Sequence, residues 1–302
     1  MLREKIDGLI VPVFTPLHDN GEVALERIAD YGELIVENEM DGVFICGSSG
    51  EGMLLSTKER KAIVEEWSPF DSEEFKLIVH VGHTSYKEAQ ELAIHAEDWN
   101  AYATSSMGPV FLQSKTVEDL VDYCGKIASA TPDLPFYYYH IPLRTGLDIS
   151  MVEFLKLGKE RIPNLAGIKF THSNLMEMQQ CMILDEGYFD IVHGSDATLL
   201  CGLTLGVKGA IGTTYNFASE LYKKLIAAFD SLDLEKARSL QHQVVKLNDI
   251  LARYGGGIVA GKAIMKLRGL DCGPCRSPLH SLDEKRMEQL TKELEGIGFF
   301  NN

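Results

Sequence analysis

Leu165-Ala-Gly-Ile-Lys-Phe-Thr171 is a short apolar run with one lysine near its end. The pattern suits a strand buried on both faces, as in a parallel sheet. Lys169 sits where such a strand would leave the core. A lysine in that position either snorkels its ammonium to water or is enclosed in a site. Enclosure lowers its pKa, because desolvation penalises the charged form. A neutral amine attacks carbonyl carbon, and the product is a Schiff base.

The neighbouring segments repeat the theme. Before this run come Gly8 to Pro16, Val43 to Cys46, Lys76 to Gly82, Ala101 to Pro109 and Leu134 to Pro142, each strand-like. After it come Phe189 to Asp196 and Gly209 to Asn216. Helix-like stretches alternate with them: Leu25 to Asn38, Ser56 to Glu66, Ser85 to Trp99, Thr116 to Ala130, Asp148 to Leu157, Asn174 to Asp185, Thr198 to Gly206 and Ala218 to Phe229. Ser56 with Glu59, and Ser85 with Glu88, have the spacing of capping boxes. Asp148 or Ser150 would cap the helix that follows them. Strands alternating with helices imply parallel pairing and crossover connections. Eight such units predict a closed (β/α)8 TIM barrel over residues 1–230, typically ~250 residues long. An open doubly wound sheet would carry a glycine-rich fingerprint after its first strand, and none is present. Residues 231–302 read as a C-terminal helical extension of the same domain, with helices at Leu232 to Ala252, Gly261 to Leu267 and Leu282 to Leu294.

Composition narrows the function. The 302 residues carry a formal net charge of −15, and 45% are hydrophobic. Such acidity disfavours nucleic acid and anionic membrane surfaces as partners. No apolar run approaches the ~20 residues of a membrane span. Arg3 and Lys5 precede Leu9 to Phe14, but Pro12 interrupts that run and Thr15-Pro16 follows it, so no signal peptide is expected. Four of the six cysteines, Cys46, Cys124, Cys181 and Cys201, stand alone among apolar residues, as in a reducing, cytoplasmic compartment. Cys272-Gly-Pro-Cys275 has redox spacing, but Pro278 opposes the helix such a motif needs after it. No His or Cys pair has zinc spacing, and no metal site is expected.

Barrel active sites lie at the C-terminal strand ends. There Gly47-Ser48-Ser49-Gly50-Glu51 can form a nest of N–H donors for a carboxylate or phosphate, or an ordinary turn. Tyr137 and Tyr139 share one strand face and Tyr138 takes the other. A tyrosine in the mouth can relay a proton, or simply fill the rim. Arg144 can pair with a substrate carboxylate or lie on the surface. Asp196 can line the mouth or cap the next helix.

Taken together, G-S-S-G-E at 47–51, F-Y-Y-Y-H-I-P at 136–142, G-I-K-F-T at 167–171, H-G-S-D at 193–196 and G-T-T-Y-N at 212–216 resemble the N-acetylneuraminate lyase and dihydrodipicolinate synthase family of class I aldolases. The resemblance runs from Gly8 to at least Leu279. It implies that Lys169 forms the imine with a 2-oxo acid such as pyruvate or a sugar acid, with no cofactor beyond that covalent bond. It implies that Tyr139 relays protons and that Ser48 and Ser49 hold the substrate carboxylate. It places Thr171, Gly194, Asp196 and Thr213 around the rest of the pocket. It also implies a homotetramer.

Within the family, Leu134 to Pro142, His80-Val-Gly82 with the following K-E-A-Q-E-L-A, and G-P-C-R-S-P-L at 273–279 resemble animal-type sialic acid lyases. Pro109 is followed by Val110 and Phe111, so the second tyrosine usual in the synthases is missing. Two positions depart from the lyase pattern. Ala197 stands where those enzymes usually have glutamate. Arg144, in P-L-R-T-G, looks like the arginine that synthases use for a second carboxylate. A dihydrodipicolinate synthase-like enzyme or a 2-keto-3-deoxy sugar acid aldolase is therefore the alternative. A non-catalytic ligand-binding barrel is the reading from another class.

Overall fold

A strand that must bury both faces needs helices outside it and side chains within, and a closed barrel supplies both. The computed structural model describes residues 5–301. Residues 1–4, Arg3 among them, and residue 302 lie outside the described residues. The strands are β1 (Gly8–Val11), β2 (Gly42–Ile45), β3 (Lys76–His80), β4 (Ala103–Met107), β5 (Phe136–His140), β6 (Leu165–Phe170), β7 (Asp190–His193) and β8 (Gly209–Ile211). They pair in chain order, all parallel, and Gly8 to Ile10 of β1 close the barrel against Gly209 to Ile211 of β8.

The helices of the barrel layer are α1 (Ile28–Glu37), α2 (Thr57–Trp67), α3 (Tyr86–Asp98), α4 (Val117–Ala128), the four-residue α5 (Pro142–Thr145), α6 (Met151–Arg161), α7 (Leu175–Ile183), α8 (Leu199–Leu205) and α9 (Tyr215–Asp230). Then come α10 (Leu234–Arg253), α11 (Gly256–Leu267) and α12 (Glu284–Gly296). Helix α10 packs on α9, and α11 packs on both.

Two apolar layers follow from strand alternation. Ile10, Phe44, Ile78, Tyr137, Tyr139 and Val192 fill the barrel. Val11, Val43, Leu77, Tyr138, Ile168 and Phe170 face the helices. The predicted split of the three tyrosines is thus observed. Register places the chemistry. Strand β6 carries one extra residue against β5, because Phe136 pairs with Leu165 while Tyr137 pairs with Gly167. Beyond that irregularity Tyr139 pairs with Lys169, so both side chains point inward. Gly167 is required there, since a Cβ would sit 1.7 Å from the Asp190 carbonyl oxygen.

Several sequence expectations need correction. The first strand ends at Val11 rather than Pro16, and the last at Ile211 rather than Asn216, because Tyr215 already opens α9. The Ser56–Glu59 capping box forms in both directions. The Ser85–Glu88 box does not form. The Glu88 carboxylate instead accepts a 2.5 Å hydrogen bond from the Thr57 hydroxyl, across to α2. Ser150, not Asp148, caps α6. The sequence reading had no counterpart of α5, which Pro142 initiates and Gly146 ends in the left-handed region.

Candidate active site

Lys169 leaves β6 at the C-terminal mouth and is 4% exposed. Its Nζ lies 3.7 Å from the Phe44 ring centroid and 4.1 Å from that of Tyr139. Aromatic faces attract a cation, but they replace little of its hydration. Burial therefore pushes the Lys169 ammonium pKa well below the usual lysine value, with Asp196 pulling the other way. The mouth thus favours the uncharged nucleophile.

Tyr139 stands beside it. Burial raises its phenol pKa, while the hydroxyls of Ser48 and Thr171 and the charge of Arg144 oppose that rise. Its hydroxyl lies 3.4 Å from the Ser48 hydroxyl. The resting group is a phenol with partners ready to favour a transient phenolate. His80 packs edge-on against the same ring. Its Nε2 accepts from the Met107 N–H, so Nδ1 carries the proton and donates to the Cys46 carbonyl. Burial and the Arg60 charge push the His80 imidazolium well down, which makes it a neutral wall of the site.

The turn after β2 is built as a nest. Gly52 donates to the Gly47 carbonyl and Glu51 to that of Ser48. Among the described residues, the N–H groups of Ser48, Ser49 and Gly50 make no hydrogen bond to a protein acceptor. Three free donors on one turn suit a carboxylate. Only glycine fits at position 52, where a Cβ would lie 1.7 Å from the Cys46 carbonyl oxygen. The Ser49 hydroxyl is 2.8 Å from that of Thr213, which joins the nest to the end of β8.

The nest is anchored from behind through Glu51, by partners that the sequence did not reveal. Glu51, at φ 55°, forms a buried ion pair with Lys262 of α11 at 2.6 Å. Its other oxygen accepts from the Arg276 N–H at 2.6 Å. The Lys262 ammonium also donates to the Pro274 carbonyl. The Cys272–Cys275 segment therefore serves as a clasp. Burial pushes the Cys272 thiol to about 12 and also raises that of Cys275, which is the opposite of an activated redox pair. No sequence signal distinguishes Lys262 from an ordinary helix lysine.

Of the other residues that the resemblance implies, Thr171 touches Gly194, Asp196 bonds to Thr214 and Thr213 meets Ser49. Gly194 packs so closely on Thr171 that a Cβ would lie 1.9 Å from its hydroxyl oxygen. Asp196 does not cap the following helix. One carboxylate oxygen accepts from both the N–H and the hydroxyl of Thr214, at 2.8 and 2.7 Å. Arg144 sits exposed on α5 at the rim of a cavity of about 330 Å³, which Ser48, Glu51, Met107, Val110 and Ile258 also line. Ser48 on its wall meets the Tyr139 hydroxyl, and the Tyr139 ring in turn meets the Lys169 amine.

Known proteins resemble this chain over nearly its whole length. The model of the dihydrodipicolinate synthetase family matches residues 5–297. The chain is 33% identical to the N-acetylneuraminate lyase of Rattus norvegicus over 99% of its own length and 95% of the relative's. It is 37% identical to N-acetylneuraminate lyase A of Xenopus laevis, covering 92% of each chain. Among solved structures, the Proteus mirabilis N-acetylneuraminate lyase superposes with a TM-score of 0.94 at 35% identity, over 98% of this chain and 100% of that one.

Proposed function

The chain belongs to the dihydrodipicolinate synthetase family, and we propose that it is a pyruvate-dependent class I aldolase cleaving N-acetylneuraminate to pyruvate and N-acetylmannosamine. The observation that carries this reading is the buried Lys169 amine held against the Tyr139 ring at the barrel mouth. The full-length relatives named N-acetylneuraminate lyase support the substrate.

In this mechanism the substrate carboxylate binds the Ser48–Ser49 turn, which places C2 of the open-chain keto form above Lys169. The neutral amine attacks C2. The Tyr139 phenol gives its proton to the departing carbinolamine hydroxyl, and water leaves. The resulting iminium is positive, and the new phenolate beside it is negative. That phenolate then takes the C4 hydroxyl proton. The C3–C4 bond breaks, the aldehyde forms at C4, and the bonding electrons pass into the iminium to give an enamine. Protonation at C3 and addition of water at C2 release pyruvate and restore the amine. A general acid and base placed this way contributes ~10²–10⁴-fold. The buried nest and the aromatic walls keep the charges fixed while this happens. Lys169 and its imine supply the electron sink, so the proposal needs neither cofactor nor metal for the cleavage.

Arg144 favours a second reading. A guanidinium on the rim suits an aldehyde partner that carries its own carboxylate, as in a synthase-like reaction with aspartate semialdehyde or with a sugar acid. Assays of N-acetylneuraminate cleavage, run beside pyruvate condensation with a panel of aldehydes, separate the two. Release of N-acetylmannosamine as the fastest reaction supports the first reading. Faster turnover of an acidic aldehyde would replace it with the second.

We further propose a cytoplasmic homotetramer. No described helix is long and apolar enough to cross a membrane. Phe111, Leu112 and Leu143 are 93%, 81% and 93% exposed. The Gln113 side chain donates to the Thr145 carbonyl and ties its loop to α5 in one rim. An exposed apolar rim of this kind suits a subunit contact.

A further inference from the structure

On the helix side of β5 and β6, behind the catalytic pair, three donors converge. His140 ends β5 facing away from the barrel, His172 follows β6 on the same outer side, and Glu177 stands in the first turn of α7. One ligand atom of each lies within 4.8 Å of the others. The two imidazoles meet edge to face with centroids 5.3 Å apart.

The polar atoms there are incompletely satisfied. His140 is 3% exposed, and its Nε2 is buried with no hydrogen-bond partner among the described residues. The buried Nδ1 of His172 likewise has none. A buried ring nitrogen without a partner is destabilising unless something supplies one. Glu177 is already oriented, because Oε1 accepts the Met151 N–H at the start of α6 at 2.8 Å. Metal-binding carboxylates are commonly held by such a second contact.

We propose that His140, His172 and Glu177 bind one divalent transition-metal ion of the zinc class. Two imidazoles and a carboxylate suit zinc and its neighbours, whereas calcium and magnesium prefer all-oxygen shells. Donors sharing one zinc ion at ~2.1 Å lie at most ~4.2 Å apart, so small side-chain rotations close the observed set. Three protein ligands leave a fourth position for water. The ion would join the ends of β5 and β6 to α7, and those two ends carry Tyr139 and Lys169 on their other face. Its role is therefore to brace the catalytic strands from behind rather than to touch substrate. The site was invisible in the sequence because its ligands come from three separate elements with no motif spacing.

The test is calorimetric titration of the chelator-treated full chain with zinc chloride, and with calcium chloride as a control. We expect one zinc per chain, no calcium heat, and affinity at least ~100-fold lower in both His172→Ala and Glu177→Gln. Zinc affinity unchanged in those variants, no zinc binding by the wild type, or equal binding of calcium would overturn the proposal. His172 and Glu177 are only partly buried, so both variants should fold; thermal melts with and without zinc give a second readout. The zinc-induced rise in Tm should be present in the wild type and absent in both variants. Cobalt(II) supplies a third, since an intense thiolate charge-transfer band would assign the ion to cysteines and overturn the proposal as well.

Discussion

Lys262 and Glu51 form an ion pair at 2.6 Å with both side chains almost wholly buried. One belongs to α11, outside the eight barrel units, and the other closes the turn that presents Ser48 and Ser49. The helical extension therefore holds in place the turn proposed to bind the substrate carboxylate. Lys262→Met should leave a buried carboxylate without its counter-charge, which typically costs ~3–5 kcal/mol. Denaturant unfolding measures this directly. The double variant Glu51→Gln with Lys262→Met should recover part of the loss, because neither charge then remains. A single variant as stable as the wild type would remove the pair from the account.

The acid limb of activity should report the Lys169 amine. Only the neutral form attacks carbonyl carbon, so kcat/KM should fall as pH drops through its depressed pKa. Asp196 raises that pKa. Asp196→Asn should therefore move the acid limb to lower pH, whatever it does to the maximal rate. A limb that stays put, or moves up, contradicts the assignment.

The same depressed pKa carries a stability consequence. The unfolded chain protonates Lys169 near its ordinary ~10.4, while the folded chain does not. Between the two values the unfolded state binds more protons, so stability rises with pH across that window. Lys169→Met should accordingly be more stable than the wild type at neutral pH, with a flatter dependence on pH. Parallel thermal melts through the neutral and mildly alkaline range provide the comparison.

Tyr139→Phe removes the proton carrier while leaving the ring that packs on Phe44 and Lys169. We expect kcat to fall ~10²–10⁴-fold. KM should change far less, since the nest is untouched. Loss confined to KM would make Tyr139 a binding residue only.

Much of this was legible before any coordinates. The alternation of strand and helix signals showed the barrel, because parallel strands need crossovers and the hydrophobic period changes visibly between them. Lys169, the tyrosines and the 47–51 turn were legible as candidates because barrel chemistry gathers at strand ends, while their roles came from the family resemblance. Strand ends themselves were less so, since the Pro12 to Pro16 segment and the Thr213 to Tyr215 segment stay apolar or β-prone after pairing stops. Contacts between distant elements left no local trace. Lys262 reads as a surface helix lysine until α11 docks against Glu51. Glu88 has the spacing of a cap but finds a better partner in Thr57 on the adjacent helix. Ser85 and Glu88 illustrate how tertiary packing overrides a local motif.

The most direct test of the central claim is reduction by borohydride in the presence of pyruvate, followed by peptide mass spectrometry. The account predicts one reduced pyruvyl adduct per chain, on the peptide carrying Lys169, and none in Lys169→Ala. An adduct on another lysine, or turnover that persists in Lys169→Ala with no trapped species at all, would contradict it.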